Sequence, residues 1–302
     1  MNTVIVENLS KKYDEKIVVN NVSFKVNEGE LFGLIGPDGA GKTSIFRMLT
    51  TLLLPDSGMA EVCGHNVVSN YKEIRKRIGY MPGKFSLYQD LSVEENLNFF
   101  ATIFNTTVEA NYSLIKDIYV QLEPFKKRKS GKLSGGMKQK LALCCALIHR
   151  PEVLFLDEPT TGVDTVSRKE FWAMLKKLKN EGITILVSTP YMDEATLCER
   201  IGLIQDGKIL SIDTPQTIIK KYPGSLYAIK SDNMIQLLSD LRKLSIIESV
   251  HSFGEDHHVT FKNHHTDFLE IENKLKSHLS YPFKIQSIKP TVEDCFIKLM
   301  TN

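Results

Sequence analysis

The chain has 302 residues, 42% apolar and 25% charged, a length that predicts about two domains, each with its own core. With 38 basic and 36 acidic residues the net charge is +2, so nothing sequence-wide favours an anionic membrane surface, and no nucleic acid partner is expected. No uninterrupted apolar run approaches the ~18 residues that span a bilayer, and Glu7 interrupts the N-terminus too soon for a signal peptide. Any membrane role is therefore expected to come through a partner. The five cysteines (Cys63, Cys144, Cys145, Cys198 and Cys295) are scattered without zinc or redox spacing, which suits a reducing cytoplasm.

Residues 4–6 and 23–26 read as short strands, with a polar turn over 9–15 between them that carries Tyr13. This tyrosine is either an ordinary surface residue or an aromatic face for a nucleobase. The apolar run 31–35 enters Gly36-Pro37-Asp38-Gly39-Ala40-Gly41-Lys42-Thr43-Ser44. Gly36, Gly41, Lys42 and Thr43 fit the spacing G-x-x-x-x-G-K-[ST], a P-loop. Its glycines let backbone N–H groups turn toward nucleotide phosphates, and a helix dipole and Lys42 add positive charge. The Thr43 hydroxyl is placed to ligate Mg²⁺. The alternative is a glycine turn between strand and helix that happens to precede Lys-Thr.

A helix is expected over 44–54, stopped by Pro55-Asp56-Ser57-Gly58, then a strand through 60–64, a helix over 71–76 and a strand over 78–82. Ser92-Val93-Glu94-Glu95 is a capping box opening a helix, and helical character continues with interruptions to about Phe125. The basic run Lys126-Lys127-Arg128-Lys129 reads as a solvated loop. Leu133-Ser134-Gly135-Gly136-Met137-Lys138-Gln139 opens an apolar helix that ends near Arg150. The buried strand 153–157 then delivers two carboxylates, Asp157 and Glu158. Beside a P-loop, Asp157 can hold the Mg²⁺ water shell and Glu158 can orient and deprotonate an attacking water; the alternative is two solvated acids at a strand end.

An amphipathic helix over 171–178, a buried strand over 183–187 and a hairpin around Asp206-Gly207 complete an α/β layered core. Beyond a boundary near Tyr222-Pro223-Gly224, the order β-α-β-β-α-β closed by a helix from Thr291 predicts a small α+β domain, 223–302. Its paired histidines, His257-His258 and His264-His265, could bind metal, but with no supporting carboxylate or cysteine pattern they read as a solvated loop.

The stretch Leu133-Ser134-Gly135-Gly136-Met137 resembles the signature motif of the ATP-binding cassette (ABC) ATPases, and the likeness runs from about Val4 to Ile212 with the motifs in order. The resemblance implies an α/β P-loop core with a parallel sheet flanked by helices, an antiparallel subdomain and a helical subdomain at about 84–150, all within 1–222. It implies ATP and Mg²⁺ as cofactors, Tyr13 as the adenine-stacking residue, and Leu133, Ser134, Gly135, Gly136, Met137 and Gln139 as a signature that covers the ATP of a second ATPase subunit. Gly162-Val163-Asp164 resembles the D-loop. Tyr191-Met192-Asp193-Glu194-Ala195 and Pro290-Thr291-Val292-Glu293-Asp294-Cys295-Phe296 resemble the ABC-2 subgroup, whose ATPases serve exporters through a separate membrane permease, on the inner face of the cell membrane.

Two positions depart from the family pattern. Gly83 stands where the family has a Mg²⁺-ligating glutamine, with Gln89 six residues further on, and Pro190 stands where it has a switch histidine. Proline brings no donor to the γ-phosphate. Either neighbours such as Lys84 or Tyr191 compensate, or the chain's own site is degenerate and a heterodimer with a fully equipped ATPase is favoured over a homodimer.

Overall fold

The computed structural model describes residues 2–262 and 268–301. The chain divides into two compact units, Met1–Gln216 with Leu299–Asn302, and Thr217–Lys298.

In the first unit, β1 (Asn2–Tyr13) and β2 (Lys16–Asn27) form an antiparallel hairpin, followed by β3 (Leu31–Ile35), α1 (Lys42–Leu49), β4 (Ser57–Val62), β5 (His65–Asn66), α2 (Tyr71–Arg77) and β6 (Ile78–Met81). Three helices come next: α3 (Val93–Ile103), α4 (Tyr112–Tyr119) and α5 (Gly135–Leu147). The chain returns to the core with β7 (Val153–Asp157), α6 (Thr165–Asn180), β8 (Thr184–Thr189), β9 (Arg200–Gln205) and β10 (Lys208–Asp213). α7 (Pro215–Lys220) follows.

Two sheets result. One has the order β2-β1-β4-β5 and is antiparallel; the other is β10-β9-β3-β8-β7-β6, parallel except for the β10 edge. Every residue of β3, β7 and β8 is buried, as parallel strands covered on both faces must be. A single core joins the two sheets through α1: Phe24 stacks on Phe32 at 5.5 Å, and Phe46 meets Phe155 edge-on at 5.7 Å. This apolar sandwich sets the height at which β3 releases the glycine loop.

Several elements depart from the expectations. The polar turn over 9–15 is mostly strand, paired as far as Tyr13 with Lys16. Only Leu9 of that stretch turns fully inward, and an antiparallel hairpin with one wet face tolerates the surrounding lysines. Helix α1 stops at Leu49, well before Pro55, because Thr51 takes φ 63 and the Leu52 and Leu53 N–H groups close onto the Arg47 carbonyl. Helix α6 begins six residues before the expected Phe171, capped by Asp164, whose Oδ1 accepts from Val166 N (3.1 Å) and Ser167 N (3.0 Å). The capping box at α3 forms in both directions, Ser92 N to Glu95 and Glu95 N to Ser92. The basic run 126–129 is exposed.

The second unit contains β11 (Leu226–Ser231), α8 (Met234–Lys243), β12 (Ile247–Phe253), β13 (Asp256–Phe261), α9 (Phe268–His278), β14 (Phe283–Ile288) and α10 (Val292–Thr301), which runs past the unit's last residue. Its antiparallel sheet has the order β12-β13-β11-β14, a ferredoxin-like arrangement. Here the histidine reading is corrected. His257 and His258 lie on β13, not in a solvated loop: His257 is buried between the Met234 carbonyl and Ser252 Oγ, and His258 Nδ1 sits 2.7 Å from Asp294. Period-two alternation sends the pair to opposite faces, where each ring has partners. His264 and His265 lie outside the described residues.

Candidate functional site

β3 ends in a cradle whose shape depends on absent side chains. A Cβ on Gly36 would stand 2.1 Å from the Ile204 carbonyl oxygen of β9, so no other residue fits. Gly41 takes φ 101 and packs against the Val18 carbonyl, where a Cβ would come within 2.5 Å. The loop is braced from outside: Gly36 N donates to Thr189 O (3.2 Å), and Gly207 N donates to Ala40 O (3.1 Å). Asp38 and Gly39 face solvent at the loop's crest, with Pro37, Thr43 and Ser44 half-buried and Ala40 buried.

Lys42 is 3% exposed, and its ammonium donates to the carbonyls of Gly36 (2.8 Å) and Pro37 (2.9 Å). It also lies 3.3 Å from Glu158 Oε1, so the P-loop cation and the strand-end carboxylate share one site. Tyr13, at the tip of the β1–β2 hairpin and 41% exposed, comes within 3.4 Å of Ser44 Oγ through its hydroxyl. Its ring is thus brought beside the start of α1.

Asp157 is the last residue of β7 and is buried; its Oδ1 accepts from Ser188 Oγ at 2.5 Å. Among the described residues no other hydrogen bond reaches this carboxylate. Its other oxygen and the Thr43 hydroxyl are hard donors of the type Mg²⁺ takes, alongside phosphate oxygens and water, so the residues present fit that ion. Glu158 leaves the strand with φ 50, unusual for a glutamate, and its N–H donates to Ser188 O (3.0 Å) and Ser188 Oγ (3.1 Å). Nearby, burial and then the Asp157 charge push the Tyr80 hydroxyl up to about 12.

The signature starts α5. Leu133 is buried as its anchor, Ser134 caps the helix by accepting from Met137 N (3.3 Å), and Ser134 and Gly135 are exposed. Met137 and Gln139 are half-buried on the same helix. The D-loop and the start of α6 pack on this turn: a Cβ on Gly135 would lie 3.4 Å from Gly162 O, and one on Gly136 would lie 2.8 Å from Ser167 Oγ of α6. Signature and D-loop therefore form one patch. Among the described residues, no hydrogen bond or ion pair joins Ser134, Gly135 or Gly136 to the P-loop of the same chain.

Sequence reasoning missed a buried network behind these motifs. Glu194, 1% exposed, accepts from Thr160 Oγ1 (2.8 Å), Thr189 Oγ1 (2.5 Å) and Arg168 Nε (3.1 Å). It ties the loop after β7, the end of β8 and helix α6 together. The run Tyr191-Met192-Asp193-Glu194-Ala195 stands out in the sequence as ABC-2-like, but nothing in it points to Glu194 as the centre of a buried network. The Tyr191 ring lies over the Arg168 guanidinium at 4.4 Å. Gly83 lies against the strand end, where a Cβ would be 3.1 Å from Asp157 O and 3.7 Å from Glu158 Cβ, whereas the Gln89 carbonyl accepts from Gly131 N (3.0 Å).

Known proteins share this arrangement. The ABC transporter family model matches residues 19–161. The chain is 37% identical to the probable multidrug ABC transporter ATP-binding protein YbhF of Escherichia coli (strain K12), over 98% of itself and 52% of that protein. It thus spans about half the length of that relative. It is 34% identical to the Nod factor export ATP-binding protein I of Rhizobium sp. (strain N33), over 96% of itself and 94% of that protein. Among solved structures, an ATP-binding subunit of an ABC transporter superposes with TM-score 0.66 at 26% identity, over 72% of this chain and 92% of that one. The cassette MJ0796 in a post-hydrolysis state bound to ADP and Pi gives TM-score 0.63 at 25% identity, over 70% and 98%. The cradle, the paired carboxylates and the signature, together with these likenesses, mean that the chain belongs to the ABC transporter ATP-binding proteins, ATPases of the ATP-binding cassette fold.

Proposed function

We propose that this chain is the ATP-hydrolysing subunit of an ABC-2 type exporter, driving transport through a separate membrane permease. One observation carries the reading: Lys42 and Glu158 meet at 3.3 Å in a cradle whose relatives include an export ATP-binding protein. In this account the P-loop N–H groups and Lys42 hold the phosphates, and Tyr13 stacks on the adenine. Thr43 and Asp157 hold Mg²⁺, which neutralises phosphate charge when bound. Glu158 accepts the proton of the attacking water. Ser134, Gly135 and Gly136, with the D-loop Gly162-Val163-Asp164 beside them, complete the site of a second ATPase subunit.

Among the described residues no helix is long and apolar enough to cross a membrane; in this reading the attachment to a membrane is through the permease, on its cytoplasmic face. An apolar groove of about 390 Å³, lined by Tyr80, Met81, Leu87, Phe100, Ile103 and Phe104, supports docking of an apolar permease segment. Gly83 and Pro190 support a second, narrower reading, in which this chain's own site turns over slowly and its partner is a different, fully equipped ATPase.

The test is purification of the full chain from native membranes in mild detergent, with calorimetric titration of MgATP. Co-purification of a membrane protein and loss of ATP affinity by roughly 10- to 100-fold in Lys42→Ala are expected, since the phosphates lose a charged donor. Recovery without any membrane protein would favour an ABC ATPase outside transport. Unchanged affinity in Lys42→Ala would remove the P-loop from the account.

A further inference from the structure

We propose that Ser188 is a positioning residue for the metal half of the site, an inference that rests on the nucleotide reading above. Ser188 follows the apolar run Ile185-Leu186-Val187 on β8 and is fully buried. A hydroxyl in that setting must find partners, and it finds them on two consecutive residues of the neighbouring strand end. Register places Asp157 beside Ser188. The hydroxyl donates to Asp157 Oδ1 at 2.5 Å and accepts from Glu158 N at 3.1 Å. One oxygen thereby fixes the rotamer of the carboxylate expected to face Mg²⁺ and, together with the Ser188 carbonyl, the turn at φ 50 that aims Glu158.

Because Glu158 N also donates to the Ser188 carbonyl at 3.0 Å, truncation to alanine leaves that N–H satisfied. The change falls on Asp157, which loses its donor from the protein. Removing a group that orients a metal ligand typically costs about 10–100-fold in metal affinity. Among the described residues the hydrogen bonds of the Ser188 hydroxyl go to Asp157 and Glu158 and not to the P-loop or Tyr13, so binding of nucleotide without metal is expected to be left alone.

The experiment titrates the full chain with a fluorescent non-hydrolysable ATP analogue, first in EDTA and then at fixed analogue with rising Mg²⁺. Ser188→Ala is expected to match wild type in EDTA and to raise the Mg²⁺ midpoint by about tenfold or more. Ser188→Cys, which keeps a weak donor, should fall between them. Equal Mg²⁺ midpoints in wild type and Ser188→Ala overturn the proposal, as does a loss of the same size in EDTA and in Mg²⁺, which would mark a purely structural role. If Ser188→Ala does not fold, Ser188→Cys decides, and a wild-type midpoint in that variant overturns the proposal. A wild-type chain that binds no analogue in either condition fails the nucleotide reading, and this inference falls with it.

Discussion

The two functional ends of the cassette unit are built on opposite plans. At the P-loop end, Lys42 is buried and satisfied by carbonyls of its own loop, and Asp157 and Glu158 are held from behind by β8. At the signature end, Ser134 and Gly135 face solvent and are supported only from beneath, by Leu133 and the D-loop turn. One end is enclosed by groups of its own chain; the other is an open surface. The contrast matches the proposed role of the signature as an interface element, in which case mutations at the two ends should separate when the chain is tested alone and in its complex.

The largest effect is expected from Ser134→Arg. In the assembled complex it should nearly abolish ATPase activity, by roughly 10²–10³-fold as for a lost transition-state donor, while ATP affinity of the isolated chain stays at wild type. Loss of affinity in the isolated chain would break the comparison, because the signature would then serve its own site. Glu158→Gln should lower the turnover of a heterodimer only modestly, and its abolition of activity in the chain alone would remove the asymmetric model.

Next in size is a gain of function. Gly83 has a backbone free of left-handed strain, and a Cβ there would stand 3.1 Å from the Asp157 carbonyl oxygen, a tight contact that a shift of a few tenths of an ångström relieves. Gly83→Gln combined with Pro190→His should raise turnover of the purified chain by up to about 10²-fold, the scale of one restored donor. Steady-state phosphate release measures it. No increase would mean that the closed end is already competent as built. The smallest effect is at the nucleobase. Tyr13→Ala should weaken ATP by roughly 1 kcal/mol and Tyr13→Phe should be nearly silent, since the ring face does the stacking. Equal losses in calorimetry would assign the contact to the hydroxyl, which lies 3.4 Å from Ser44.

What the sequence displayed was whatever local chemistry makes unmistakable. The glycines of the cradle, the apolar strand ending in Asp157 and Glu158, and the Ser134 helix start each occupy a short window, so their spacing alone carries the reading. The order of elements beyond residue 223 was legible for the same reason, as alternation of period is local. Long-range closure was not. The extension of β1 to Tyr13 depends on pairing with Lys16 across a hairpin of polar residues. The stop of α1 at Leu49 depends on a left-handed Thr51 that propensity disfavours. Glu194 meets Thr160, Thr189 and Arg168 only once three elements have packed, and His258 meets Asp294 from 36 residues away. The first two are local backbone choices that residue propensity does not announce, and the Glu194 and His258 contacts join polar groups as far as 36 residues apart, of which a pattern of hydrophobicity carries no trace.

The brace behind the cradle has a consequence for where the molecule moves. Asn20 N donates to Gly207 O at 2.8 Å and Gly207 N to Ala40 O at 3.1 Å, while Gly36 N holds the end of β8. The phosphate loop is therefore stitched to the antiparallel hairpin on one side and to the parallel sheet on the other, and it cannot open without parting both. The Gly36 and Gly207 amides that make these stitches are therefore expected to exchange far more slowly than those of the exposed crest at Asp38 and Gly39. If the chain works as proposed, conformational travel is left to the surfaces that are not stitched in this way, foremost the exposed signature turn at Ser134 and Gly135.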